Sequence, residues 1–386
     1  MVSTKALGLG LALCIGAVAC GGAKPAPVAE APPSAPIKPP PPPKPKTEAE
    51  KLSARCDANL NRARVARDRI VKGKSLDAQV VLNAFNVVET ALYNGEAESS
   101  LWRSVHPDKA VRVAAESCER KISKLTTEFT LDRDLYDVFA SLKATGLEPL
   151  AQRLLTKTLK DFKRAGVDQD ARIRNRIKAV KDELMKVKQA FSKGIIMDKR
   201  SISLDPAQLK GLPADWIAAH KVSKDGKVWV STDYPDYIPF MTYAHSDSAR
   251  KLLYETYRQR GTPHNTKNLA KMMRLRFELA TLLGYPSWAE FITSDKMIGS
   301  ASNAANFIEK IRKISNKRMN SERKLLRKEL RRTDRRARAV QDWQKSYLLG
   351  KLKKEGDVTT FALDFCRPIS ALVAFGVALS AFEAEA

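Results

Sequence analysis

Histidine is the scarcest residue here that can carry chemistry: four in 386, at positions 106, 220, 245 and 264. No two stand four apart, so no His-Glu-x-x-His helix can hold a metal with a glutamate base beside it. His245-Ser246-Asp247 spaces two donors, but one pair is no site, and a surface histidine beside a helix N-cap accounts for it. The five cysteines include no Cys-x-x-Cys and no Cys/His pairing, which removes the usual structural metal sites. Also absent are a Gly-x-Ser-x-Gly nucleophile elbow and a Gly-x-x-x-x-Gly-Lys-Ser/Thr phosphate loop. The apolar stretches Ala6–Ala19 and Pro368–Phe382 are shorter than the roughly 20 residues of a membrane-spanning helix. Aromatics make up only 7% of the chain, and its most basic stretch, 306–356, is not interleaved with them. That pattern, with no recognisable nucleic-acid motif, argues against a nucleic-acid partner. The net charge of +25 is better read as solvated helix faces, with anionic lipid or acidic peptides as the remaining attractors. Residue chemistry alone names no activity.

What is present begins with a leader. Lys5 precedes the apolar stretch Ala6–Ala19, and small residues follow, which is the layout of a secretory signal over residues 1–19. Ala17-Val18-Ala19-Cys20-Gly21 resembles a bacterial lipobox, in which the cysteine is acylated and becomes the mature N-terminus. The plainer alternative is a cleaved signal followed by an incidental cysteine. Residues 20–46 then form a proline-rich linker, too proline-dense to pack a core and disposed to polyproline II. The expectation is an exported protein, lipid-anchored through Cys20 to a bacterial membrane and facing the periplasm or cell exterior. Export implies an oxidising compartment, so Cys56 and Cys118 either pair as a disulfide or remain two buried thiols.

From residue 47 onward, apolar positions recur at helical spacing. Ser75-Leu76-Asp77 offers an N-cap, and Gly95 is expected to end the helix that follows. Pro107-Asp108 opens another helix, and a third runs from about Asp132 to Lys143 before Gly146. Ile173, Ile177, Val180, Leu184, Val187 and Phe191 alternate spacings of four and three, a heptad seam predicting a long helix packed along a partner. Residues 201–240 are broken by Pro206, Pro213, Pro235 and Pro239. There Lys227–Ser231 alternates after Asp225-Gly226 and reads as a strand. Helices are expected to resume near Ser246. The fold class is therefore mainly α-helical: long packed helices over 47–200 and 241–360, a small β insertion near 201–240, and an anomalous apolar tail over 361–386.

The segment Leu275-Arg276-Phe277-Glu278-Leu279-Ala280-Thr281-Leu282-Leu283-Gly284-Tyr285, continuing through Ala289-Glu290 to Lys296-Met297, resembles a stretch of the thimet oligopeptidase, neurolysin and oligopeptidase A family of zinc metallopeptidases. Pro107-Asp108, Asp134-Leu135-Tyr136, Gly211–Trp216 and Tyr234–Tyr237 resemble family segments in the same order. Trp343 and Tyr347 look like its Trp-Asp…Tyr-Tyr pair, although Gln344 and Leu348 depart from it. The likeness covers about 50–355, the family's N-terminal part.

It implies a helical wall of a channel admitting short peptides, which intact relatives hydrolyse with a zinc-activated water. No position here matches a zinc ligand or catalytic residue, so this chain is expected to hold no zinc and to be inactive alone. Because the nearly uncharged tail does not continue the family pattern, a frameshift or premature stop is the expectation, against a genuine closing helix. Two further readings stay open. One is a non-enzymatic helical envelope lipoprotein that binds peptides or a protein partner through its basic face. The other is a split enzyme whose catalytic half is a separate chain.

Overall fold

The computed structural model describes residues 47–73 and 77–354. The leader, Cys20, the proline-rich linker, Ser75-Leu76 and the 361–386 tail lie outside the described residues. Thirteen α-helices and one two-stranded sheet make up the described fold, which is mainly α-helical.

Helices α1 (Glu48–Gly73), α2 (Ala78–Val105) and α3 (Lys109–Thr130) pack on one another, with α4 (Arg133–Ser141) and α5 (Pro149–Ala165) closing the same core. Phe85, Phe139 and Phe162 meet in that core, Phe85 and Phe139 edge to face at 4.9 Å. The starts follow from local chemistry. Asp77, Asp108, Asp132 and Asp170 each cap a helix by accepting backbone N–H groups of its first turn.

Gly95 does not end α2, which continues to Val105. A Cβ at 95 would lie 2.6 Å from Ile122 Cδ1, so this glycine lets α2 and α3 approach closely. Local propensity read it as a stop; tertiary packing uses it as a notch. Cys56 on α1 and Cys118 on α3 are both buried and are bonded to each other, Sγ–Sγ 2.02 Å.

Helix α6 (Ala171–Met197) carries the heptad seam. Ile177, Val180, Leu184 and Val187 are buried against Met272 and Leu279 of α10 (His264–Leu282), with Ile173 and Phe191 half-buried at the ends. The other side of α6 meets α3. There Gln189, itself buried, donates to the Glu116 carbonyl (3.1 Å) and Glu119 Oε2 (2.6 Å) and accepts from Arg120 (2.9 Å).

Strand β1 (Ser201–Leu204) pairs antiparallel with β2 (Val228–Ser231), Ser201 opposite Ser231 and Leu204 opposite Val228. The chain between them forms a 3-10 turn at Pro206–Leu209 and helix α7 (Ala214–Ala219). Helix α8 (Tyr234–Tyr243) follows at once, so helices resume well before Ser246. Its two prolines are compatible with a helix for separate reasons. Pro235 sits in the first turn, where a missing N–H costs nothing. Pro239 leaves the Pro235 carbonyl without its helical donor, and Trp216 Nε1 supplies one at 3.3 Å.

Helix α9 (Asp247–Arg258) packs on α8 and β1, and α11 (Trp288–Thr293) on α10. Helix α12 (Ala301–Arg331) runs for 31 residues, and α13 (Lys345–Lys354) packs on α12 and α8.

Two predictions follow from burial. The disulfide closes a long loop across α1–α3, with 62 residues of separation. Replacing both cysteines with serine is expected to lower unfolding stability by about 3–4 kcal/mol in urea titrations, and reductant should then have no further effect. Lys181 on α6 pairs with no carboxylate among the described residues; burial, assisted by Arg164, lowers its amine to about 8. Below that pH it is charged in both states and its full burial penalty is present. As pH rises from about 8 towards its unfolded value, the folded chain loses the proton first, so stability rises. Lys181→Met should raise stability at pH 7 by about 2 kcal/mol and flatten that rise.

Candidate functional site

Each of the four histidines is engaged in local structure. His106 ends α2, its Nδ1 accepting the Asp108 amide at 3.1 Å and its ring set edge-on to Trp102. His220 stacks on Trp216 at 3.6 Å, with Nδ1 2.7 Å from the Trp216 carbonyl and Nε2 3.0 Å from Asp236 Oδ1. The other Asp236 oxygen accepts from the Ser231 amide and hydroxyl, so the pair ties α7 and α8 to the end of β2. His245 lies 3.1 Å from the Tyr347 hydroxyl through Nδ1. Gly211, at φ +99°, makes room for that ring: a Cβ there would lie 2.6 Å from it. His264 opens α10.

Zinc in proteins is held by three or four His, Cys, Asp or Glu donors that converge on one point. Among the described residues no three such side chains do so. The described donor set therefore does not fit a zinc site.

Two constructed features remain. The first joins α8, α9 and α13. Asp247 accepts from Arg250 (2.7 Å), Trp343 Nε1 (3.1 Å) and Gln344 Nε2 (3.0 Å). Arg250 is buried, donates to the Ala244 carbonyl and lies under the Tyr347 ring at 4.1 Å. Burial pushes its guanidinium below the ordinary arginine value against the pull of Asp247. Trp343 and Tyr347 thus hold the last described helix to the body. The two departures from the family pattern acquire reasons here. Gln344 supplies Asp247 with an N–H that a carboxylate could not, and Leu348 is buried among Leu326, Leu330 and Leu352.

The second is a recess of about 390 Å³ between the C-terminal end of α2, the start of α3 and the end of α6. Half-exposed Val105, Val113, Ile196 and Met197 form its apolar wall. Lys109, Arg112, Lys193 and Lys199 stand around it. Arg112 spends Nη1 on the His106 and Pro107 carbonyls, so no carboxylate compensates its charge in those contacts. Glu116 is the acidic group within. Burial pushes its carboxyl up, but Lys193 and Arg120 outweigh that and hold it below the usual carboxylate value. A basic mouth over an apolar wall suits an anionic group carried on an apolar body.

Sequence reading could not find this recess. Its residues come from three helices and their ends, and although Arg112 and Glu116 fall in the family-like stretch that begins at Pro107-Asp108, nothing in that stretch marks a cavity. Of the residues singled out from sequence, Cys56 and Cys118 lie in the α1–α3 interface, away from any recess described, and Cys20 is outside the described residues.

Residues 240–369 match the family model described as peptidase family M3. The chain is similar to a thimet-like oligopeptidase of Dictyostelium discoideum, 28% identical over 60% of this chain and 36% of that protein. It is also similar to saccharolysin of Saccharomyces cerevisiae, 26% identical over 72% of this chain and 40% of the relative. Oligopeptidase A of Escherichia coli is 24% identical over 54% of this chain and 34% of its own length. The chain thus spans between about a third and two fifths of these relatives.

The Asp247 contact gives a test. Gln344→Glu keeps the shape but sets a second carboxylate about 3 Å from Asp247. It should destabilise the fold by about 1–2 kcal/mol at pH 7, less at pH 4, and Asp247→Asn in the same chain should restore most of the loss in urea titrations.

Proposed function

We propose that the chain is a member of peptidase family M3, which its match over residues 240–369 supports, and that residues 47–354 are the helical, peptide-receiving framework of an oligopeptidase and do not themselves cleave peptides. The family is zinc-dependent in general, and its chemistry needs a metal-bound water with a glutamate base beside it. The observation that carries the reading is the donor set. The 386 residues contain no His-Glu-x-x-His, and among the described residues no three potential ligands converge.

The substrates of the assembled activity would be short peptides, as the names of the similar proteins suggest. The recess between α2, α3 and α6 is the described concavity best matched to a peptide end, with a carboxylate towards Lys109 and Arg112 and apolar side chains on Val105, Val113 and Met197. The N-terminal residues support an exported, lipid-anchored form held through Cys20 on the outer side of a bacterial membrane, with the proline-rich 20–46 segment as spacer.

The activity test is direct. The purified 386-residue chain, incubated with a quenched fluorescent peptide and added zinc, should show no hydrolysis above the zinc-only control. Cleavage that zinc restores and a chelator abolishes would overturn the reading.

A further inference from the structure

Helix α12 is long, and most of its length buries little. Its buried residues, Glu322, Leu326, Glu329 and Leu330, all lie in the final third, where α13 packs. Upstream, Phe307 is 56% and Ile314 68% exposed, and Leu325 further along is 42% exposed. Offsets of 7 and 18 residues return to the same side of a 3.6-residue helix, so these three form one row. Met297, in the turn ahead of α12, is also fully exposed.

The charges beside that row are one-sided. The helix carries ten Lys and Arg residues against three glutamates. Two of the three, Glu322 and Glu329, are buried against Arg318, Arg332 and Lys351. Glu309 is taken by Arg312, at 2.7 Å. Lys310, Lys317, Lys324 and Lys328 are exposed and pair with no carboxylate among the described residues. At their helical offsets they run as a strip along one flank of the apolar row.

From this arrangement we propose that α12 is a membrane-surface element. Phe307, Ile314 and Leu325 enter the headgroup boundary of an anionic bilayer, and the flanking lysines reach its phosphates. A row of large apolar side chains bordered by lysines, with low overall hydrophobicity, is the composition of helices that lie in an interface plane. Lysine stems lie along the apolar boundary while their ammonium groups stay in water. Each such cation near an anionic surface multiplies the affinity about fivefold, so four suffice for binding that depends on salt. A neutral partner would leave these charges unmatched, and a second copy would oppose cation to cation. This goes beyond the peptidase reading and does not depend on acylation of Cys20.

The experiment uses the full chain carrying Cys20→Ser, which cannot be acylated. Sedimentation is measured with vesicles of phosphatidylglycerol and phosphatidylcholine, and of phosphatidylcholine alone. Binding to the anionic vesicles is expected, at least tenfold weaker to the neutral ones and weakened again by raising salt from 0.05 to about 0.3 M. Phe307→Asn with Ile314→Asn, and separately Lys310→Glu with Lys317→Glu, should each lower binding about tenfold with unchanged circular dichroism. These sites are exposed, so the fold is not at stake. Equal binding to both vesicle types, no binding, or indifference to the Asn pair would overturn the proposal. So would polyglutamate that binds as tightly as the anionic vesicles through the same residues, since the partner would then be an acidic polypeptide.

Discussion

Helix α6 is the constraint on which the arrangement of the described residues depends. One face, Ile177 to Val187, is buried against α10, and another holds Gln189 between Glu116, Glu119 and Arg120 of α3. The three-helix core of α1–α3 and the later helices therefore meet along α6, with Arg164 at the end of α5 adding a second tie to Phe291 and Asp295. Its apolar stripe supplies the driving force, since each buried Ile, Val or Leu contributes about 1.5–3 kcal/mol relative to exposure. Its polar residue supplies register. A buried amide with donor and acceptor both satisfied costs little, whereas sliding α6 along α3 would strand it. The recess at the end of α6 exists because the register of α6, α2 and α3 is set there.

A second kind of constraint holds the later helices: ionic groups are sorted by side. Glu329 sits buried between Arg332 Nη1 (2.8 Å) and Lys351 Nζ (2.9 Å), binding α12 to α13. Asp247 gathers Arg250, Trp343 and Gln344 and fixes the 3-10 turn Asp342–Gln344, ahead of α13, to α9. Carboxylates used in this way face inward. The excess cations are left outside, which is how a chain of net charge +25 acquires a helix face almost purely basic. Repulsion along such a face disfavours burial against another basic surface and favours an anionic one.

Much of the fold was legible because it rests on local rules. Aspartates at 77, 108 and 132 cap helices where a carboxylate can reach first-turn amides. The four-three alternation from Ile173 to Phe191 has one low-energy use, a buried stripe. Val228–Ser231 alternates and is a strand, although its partner, β1, lies on the far side of a 3-10 turn and a short helix. The misreadings share a cause. Gly95 looks like a helix end and is a packing notch against Ile122. Pro239 looks like a helix break, but Trp216 donates to the carbonyl it orphans. In each case the deciding atom belongs to a distant residue, and no local pattern contains it.

The candidate site divides along the same line. Spacing of the histidines was enough to exclude a His-Glu-x-x-His helix, because that motif is local: two ligands one helical turn apart. The family likeness, too, was carried by short collinear segments such as Leu275–Tyr285. The recess, the Asp247 junction and the exposed row on α12 were decided only by the tertiary structure. Lys109 and Lys193 are 84 positions apart in sequence and share one mouth because α3 and α6 pack side by side. The physical reason is range. Caps, heptads and metal-helix motifs act within one or two turns, so composition and spacing determine them. Concavities, and the faces left bare, are differences between elements, and they exist only once the elements have packed.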